Sequence, residues 1–240
     1  MFDRLIFLDT EATGNEPGKD RLCQVCYKTG GETKVGYFKP PIPISVKAMS
    51  ITHITNKMVE NAEVFSSSQM KQDLEKLLSQ RIMVAHTALF DIAMLKNEGL
   101  AVPRFIDTLR VARHLDPDNK IPEHNLQFLR YFLDLEIGGD AHDAEGDVRV
   151  LEGLFQRLFN KIRESHDTDD AALQEMVEIS NRPTLFKNFI FGKYKGQSIA
   201  EVLKTDRRYM EWLYGQMTAK GEAETDEDWI YTLKHYLKIA

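Results

Sequence analysis

The run Leu5-Ile6-Phe7-Leu8, followed at once by Asp9, Glu11 and the Thr13-Gly14 pair, constrains this chain more than any other stretch. Four consecutive apolar residues ahead of turn residues read as a strand buried on both faces. Side chains two apart on a strand project to the same face, so Asp9 and Glu11 emerge side by side where the buried strand ends. Thr13 and Gly14 then turn the backbone sharply. Two readings of this strand end are open. It is either a solvated end with two ordinary acids or part of a site for hard divalent cations, which take oxygen ligands from paired carboxylates.

The first strand is expected over residues 4 to 9. Two short runs follow, Arg21 to Lys28 and Thr33 to Phe38, and the Gly30-Gly31 pair between them has the composition of a tight hairpin. Pro40, Pro41 and Pro43 cannot donate to a sheet ladder and mark a connection. Helical and strand patterns then alternate. Met70, Leu74, Leu77 and Leu78 fall at helical spacing, Ile82 to Ala85 predicts a strand, and Phe90 to Glu98 a helix closed by Gly99. Phe105-Ile106 predicts a further strand, with helices near 108–115 and 124–134. Val148, Leu151, Leu154, Phe155, Leu158, Phe159 and Ile162 form a long apolar helical stripe. Three strands followed by helix–strand units predict an α/β fold, a sheet with helices on its faces.

Charge divides the chain beyond this stripe. Residues 166–181 carry five acids and no Lys or Arg, whereas residues 182–209 carry seven basic residues and two acids, a local charge of 7 − 2 = +5. This shift, with Pro183, predicts three parts: a domain over 1–165, an acidic helical linker over 166–184 and a small folded module over 185–240. The whole chain is at −6, with 31 basic and 37 acidic residues, so it has no global pull toward nucleic acid. A nucleic-acid enzyme of this charge would lean on bound metal and local basic patches. No apolar run approaches the ~20 residues of a membrane span, and the N-terminus lacks a signal-peptide pattern, so a cytoplasmic protein without a membrane partner is expected. Cys23 and Cys26, three apart on a strand, face opposite ways and are expected to be core or edge residues.

Two further acids stand at element junctions: Asp91 in VAHTALFD, near a helix start, and Asp147 in AHDAEGD, in the first turn of the long helix. Singly, each reads as a dipole or capping residue. Together with Asp9 and Glu11, parallel or adjacent strands would gather four carboxylates on one rim of the sheet. Like charges so crowded raise one another's pKa, and two Mg²⁺ or Mn²⁺ ions would neutralise them. His142 would then stand on a loop beside the metals. His86 reads as structural, and His114, His124, His166 and His235 carry no signal.

LDTEATG, HTALFD and HDAEGD, in that order, resemble the three motifs of the DEDDh branch of the DEDD (DnaQ-like) exonucleases, over residues 4–162. The resemblance implies a ribonuclease H-like fold and a 3′→5′ exonuclease releasing nucleoside 5′-monophosphates. It makes Asp9, Glu11, Asp91 and Asp147 the acids holding two Mg²⁺ or Mn²⁺, and His142 the general base. It places Thr13, with Gly14 beside it, near the terminal 3′-OH, and Phe90 near the terminal base. ITHITNKMV resembles the substrate segment of these enzymes, with His53 facing substrate. Three positions depart: Thr87 where Asn is usual, Thr52 where His is common, and His53 at or beside the usual Gly. SNRPTLFKNFIFGKYKG resembles the C-terminal module of exonuclease X-like proteins. There Lys193, Tyr194 and Lys195 read either as a single-strand contact or as a tight turn in a packing module. The expected substrate is DNA 3′ ends, single-stranded or duplex, with a polymerase or repair partner. An RNA exonuclease of the same fold and a proofreading subunit are the alternatives.

Overall fold

Five strands form one mixed sheet: β1 (Leu5–Ala12), β2 (Leu22–Thr29), β3 (Glu32–Tyr37), β4 (Ile82–Ala85) and β5 (Phe105–Asp107), ordered β3-β2-β1-β4-β5. The computed structural model describes residues 2–135, 144–219 and 226–239. β1, β2 and β3 pair antiparallel, and β1, β4 and β5 parallel. The hairpin turns at Gly30 and Gly31, whose φ values of 56° and 84° are the left-handed backbone that a two-residue turn demands. β1 runs past its expected end because β2 keeps pairing with it through Glu11, slipping only at Ala12. Asp9 and Glu11 therefore both lie within the strand.

Helices follow in the order α1 (Val46–Thr52), α2 (Asn56–Val59), α3 (Gln69–Gln80), α4 (Ala88–Asn97), α5 (Thr108–Leu115), α6 (Leu126–Phe132), α7 (Ala144–Arg163) and α8 (Asp169–Ser180). The alternation of strand side chains divides the core in two. Ile6, Leu8, Val25, Tyr27, Met83 and Ala85 pack with Leu74 and Leu78 of α3 and Met94 and Leu95 of α4. Leu5, Phe7, Cys26, Val84 and Ile106 pack on the other face, against the α7 stripe. Cys23 belongs to a separate cluster with Ile44 and Ala48. The two cysteines are buried on opposite faces, in no disulfide, as the spacing predicts.

The acidic segment differs from a linker. It is helical, but Ala172, Leu173, Met176 and Val177 of α8 are buried in the α7-face core. Its last residue, Ser180, accepts at Oγ from the Asp107 amide at 2.8 Å. Acidic composition describes only the outer face of an amphipathic helix. A unit ending at residue 165 would uncover the β5–α5 side of this core.

The C-terminal module comprises α9 (Ile199–Thr205), α10 (Arg207–Ala219) and α11 (Glu227–Leu237) around a core of its own. Trp229, 1% exposed, stacks on Phe186 and Phe189 with centroids 4.8 and 5.6 Å apart. Buried polar groups clamp the module to α5. Asp228 accepts at Oδ1 from the Thr184 amide (2.9 Å), lies 3.4 Å from Arg110 Nε and pairs with Arg113. Arg110 also donates to the Ser180 carbonyl at 2.8 Å and pairs with Glu227. Among the described residues, no helix is long and apolar enough to cross a membrane.

Candidate active site

The three parallel strands β1, β4 and β5 end on one rim, and each continuation delivers a carboxylate there. β1 carries Asp9 and Glu11 on the α7 face, because Asp9 pairs in register with Cys26. Thr10, between them, points to the opposite face and donates its hydroxyl to Asp91 Oδ1 at 2.7 Å. Asp91 sits in the first turn of α4, which starts two residues earlier than the apolar pattern indicates. Asp147 sits in the first turn of α7 and accepts from the Gln127 amide. β5 ends in Asp107, 2% exposed, whose Oδ1 accepts from the Leu109 and Thr87 amides, both at 3.0 Å. One carboxylate thus caps α5 and fixes the start of α4, and with it the position of Asp91. The Thr87 φ of 67° is left-handed, a conformation that Asn tolerates and a β-branched residue resists. That accounts physically for the asparagine usual at this position, and Thr87 is held there by its bond to Asp107.

Electrostatics shows how closely the acids meet. Burial raises Asp9 well above the usual carboxylate range, and the charges of Asp91, Glu11 and Asp147 raise it further. Burial, then the charge of Asp147, pushes Glu11 up to about 7. Burial pushes Asp91 up to about 8 against the opposing Thr10 hydrogen bond. As placed, the described residues include no group of three or more His, Cys, Asp or Glu side chains able to hold a metal ion. Thr10 and Gln127 donate to two of these carboxylates, Asp91 and Asp147. The donor set itself, all carboxylate oxygen, is that of a hard divalent cation.

A pH dependence of stability follows. A carboxyl with a raised folded-state pKa holds its proton more tightly folded than unfolded. Its contribution is complete below the ordinary carboxylate pKa and is lost as pH rises through the folded value. In chelator, stability is expected to fall as pH rises from about 5 to about 8, by up to ~1.4 kcal/mol per pH unit for each of Glu11 and Asp91. Mg²⁺ is expected to reverse the loss. Melting temperatures rising over that range in chelator would contradict the crowding.

The other expected residues are placed unevenly. Phe90 is half-buried and lines, with Asp9 and Asp91, a cavity of about 950 Å³. Thr13 is buried, donates its hydroxyl to Asp20 at 2.6 Å and accepts from the Arg21 amide, so it shapes the turn after β1 and offers no free hydroxyl to a substrate. Gly14 is required there, since a Cβ would meet the Asp20 carboxylate at 2.5 Å. His53 is exposed and closes α1 in a left-handed conformation. His86 is tied at both nitrogens, to Thr108 Oγ1 (2.9 Å) and the His124 carbonyl (2.8 Å), and burial lowers it to about 4, so it is a neutral structural residue. His142 lies outside the described residues.

Lys193, Tyr194 and Lys195 are not among the residues lining the cavity. The Tyr194 hydroxyl donates to Asp206 Oδ2 at 2.6 Å, and its ring meets Tyr209 edge-on at 4.9 Å. Lys193 pairs with the same Asp206 at 3.1 Å. Tyr194 is thus a packing residue. Arg182, Lys204 and Arg207 are paired as well, with Glu178, Glu201 and Glu211. Four of the seven basic residues of this segment thus face a carboxylate, in pairs that lie largely at the surface. Sequence reasoning missed Thr10, Gln127 and Asp107; only Asp107 left a trace, as an Asp directly before a helix.

The sheet order and the acid-bearing rim define a ribonuclease H-like exonuclease fold. The family model for exonucleases matches residues 6–155, and the chain belongs to that family. It is a nuclease, a phosphodiester hydrolase. The model for the exodeoxyribonuclease X-like C-terminal region matches residues 189–217. Exodeoxyribonuclease 10 of Escherichia coli (strain K12) is 27% identical over 238 residues, covering 98% of this chain and 99% of that protein. A DNA polymerase III PolC-type of Thermotoga maritima is 28% identical over 230 residues, 88% of this chain but 16% of that one. Exonuclease X, solved in complex with 5′-overhanging duplex DNA, superimposes with a TM-score of 0.58 at 24% identity, over 74% of this chain and 99% of that one.

Proposed function

We propose that the protein is a divalent-metal-dependent 3′→5′ exodeoxyribonuclease whose catalytic unit runs to Ser180 and whose C-terminal module begins near residue 185. The observation that carries the reading is the mutual electrostatic crowding of Asp9, Glu11, Asp91 and Asp147 on one rim. Four acids so crowded, Asp91 buried and the other three half-buried, need counter-charge to ionise near neutral pH, and Asp9, Glu11, Asp91 and Asp147 are the residues that would hold two Mg²⁺ or Mn²⁺ ions. Bound there, such ions supply the positive charge that steadies an attacking water and a leaving 3′ oxygen. Thr10 and Gln127 orient Asp91 and Asp147, and Phe90 offers an aromatic edge to the terminal base. His142, by its resemblance to the family's base, takes the proton of the water and must be neutral to do so. The name of the full-length relative supports DNA as substrate. Similarity to a polymerase chain supports a second reading, a proofreading exonuclease within a replication complex.

The test is degradation of a 3′-labelled oligodeoxynucleotide with Mg²⁺ or chelator. Cleavage is expected only with metal and only from a free 3′ end, so a 3′-phosphate should block it. His142→Ala is expected to lose roughly 10²–10⁴-fold in rate, the usual worth of a general base. A rate within about twofold of wild type would remove His142 from that role.

A further inference from the structure

The cavity that holds Asp9, Phe90 and Asp91 is not walled by the catalytic unit alone. Thr218 of α10 and Glu227 and Ile230 of α11 line it too, together with Leu89 and Leu109. We infer that the C-terminal module is a wall of the active-site cleft, and that Ile230 with Leu109 selects an unpaired strand over a duplex end. The inference rests on the exonuclease reading and adds a specificity-determining surface to it.

Three observations support it. The wall is fixed, because Asp228, 2% exposed, ties α11 to Arg110 and Arg113 of α5 and to the Thr184 amide. Its chemistry suits bases more than phosphates. The two arginines that line the cavity are opposed by Asp226, Glu227 and Asp228, leaving 2 − 3 = −1 and no spare cation in the cluster for a phosphate. What remains for a ligand is apolar and aromatic: Leu89, Phe90, Leu109 and Ile230. An unstacked, unpaired strand opens both faces of its bases to such a surface, a duplex end only the outer face of its last pair. Size agrees: a cleft of about 950 Å³ is at the upper end of small-ligand sites and has room for a nucleotide or two. Lys193 and Tyr194, both bonded to Asp206, and Lys195 are not among the residues of this wall.

The experiment compares the full-length wild type and Ile230→Ala on three substrates: the p-nitrophenyl ester of thymidine 5′-monophosphate, a 3′-labelled single strand and a blunt duplex. The ester carries one base, which Phe90 serves, and no second base for the Ile230 wall. Ile230→Ala is expected to hydrolyse it at the wild-type rate, while KM for the single strand rises about tenfold, the worth of one base contact. The preference for single strand over blunt duplex should shrink with it. Unchanged KM and strand preference would overturn the inference. If Ile230→Ala melts early, Thr218→Trp, at an exposed helical position, serves instead: it is expected to narrow the cleft and raise KM for the single strand, and unchanged kinetics would again overturn it. Failure of the wild type to hydrolyse the ester with Mn²⁺ would instead sink the exonuclease reading, a separate outcome.

Discussion

Asp9→Asn is expected to abolish cleavage and, in chelator at about pH 8, to make the protein more stable than wild type. Asp9 is pushed up by burial first and then by three carboxylate neighbours, so the metal-free fold bears its ionised form at a cost. Asparagine keeps the shape and removes the charge, which relieves Glu11, Asp91 and Asp147 together. The same change takes away the acid in the middle of the set, and with it the counter-charge that would organise the reacting phosphate. A loss of at least roughly 10²–10³-fold in rate is expected, comparable to losing one preorganised transition-state contact. Melting in chelator and turnover in Mg²⁺ should therefore move in opposite directions. A variant that is inactive and also less stable in chelator would mean that Asp9 is a structural acid.

The rim was legible because its chemistry recurs with a local signature. A buried strand, then Asp9-x-Glu11, fixes two acids on one face whatever the rest of the chain does. The long apolar stripe from Val148 to Ile162 likewise places Asp147 at a helix start. Sequence reasoning gave way where a residue's role is decided by a partner distant in the chain. Gln127 on Asp147 and Ser180 on Asp107 leave no periodic trace. Composition misled twice for one reason: charge counts do not show which face or partner a charge meets. The acids of α8 cover a core helix, and four of the seven basic residues from Arg182 to Arg208 face carboxylates. Tyr194 reads in sequence either as a stacking ring or as part of a packing turn, and Phe189 and Tyr209 already meet it.

The clamp between α5 and α11 gives the largest expected effect on stability. Asp228→Ala removes a carboxylate that meets Arg110 (3.4 Å), Arg113 and the Thr184 amide (2.9 Å), all in a site where Asp228 itself is 2% exposed. Breaking a buried pair from one side leaves an uncompensated cation and typically costs about 3–5 kcal/mol. Glu227 still faces Arg110 and Asp226 still faces Arg113, so the lower end of that range is expected here, about 3 kcal/mol. Asp228→Asn keeps an acceptor for Thr184 and loses only the charge, so it should fall between wild type and alanine. The exchange Arg113→Met with Asp228→Leu removes the Arg113–Asp228 pair, leaves Arg110 with Glu227 and the Thr184 amide without its acceptor, and is expected to recover part of the loss, because a well-packed apolar pair commonly replaces a buried ion pair at little cost. Arg113 also lies over the Phe186 ring at 5.1 Å, a contact that methionine retains in apolar form. Urea unfolding of the four proteins at one pH measures the order. An alanine variant within about 0.5 kcal/mol of wild type, the range of ordinary surface changes, would mean that the module is held by its apolar contacts and the clamp is incidental.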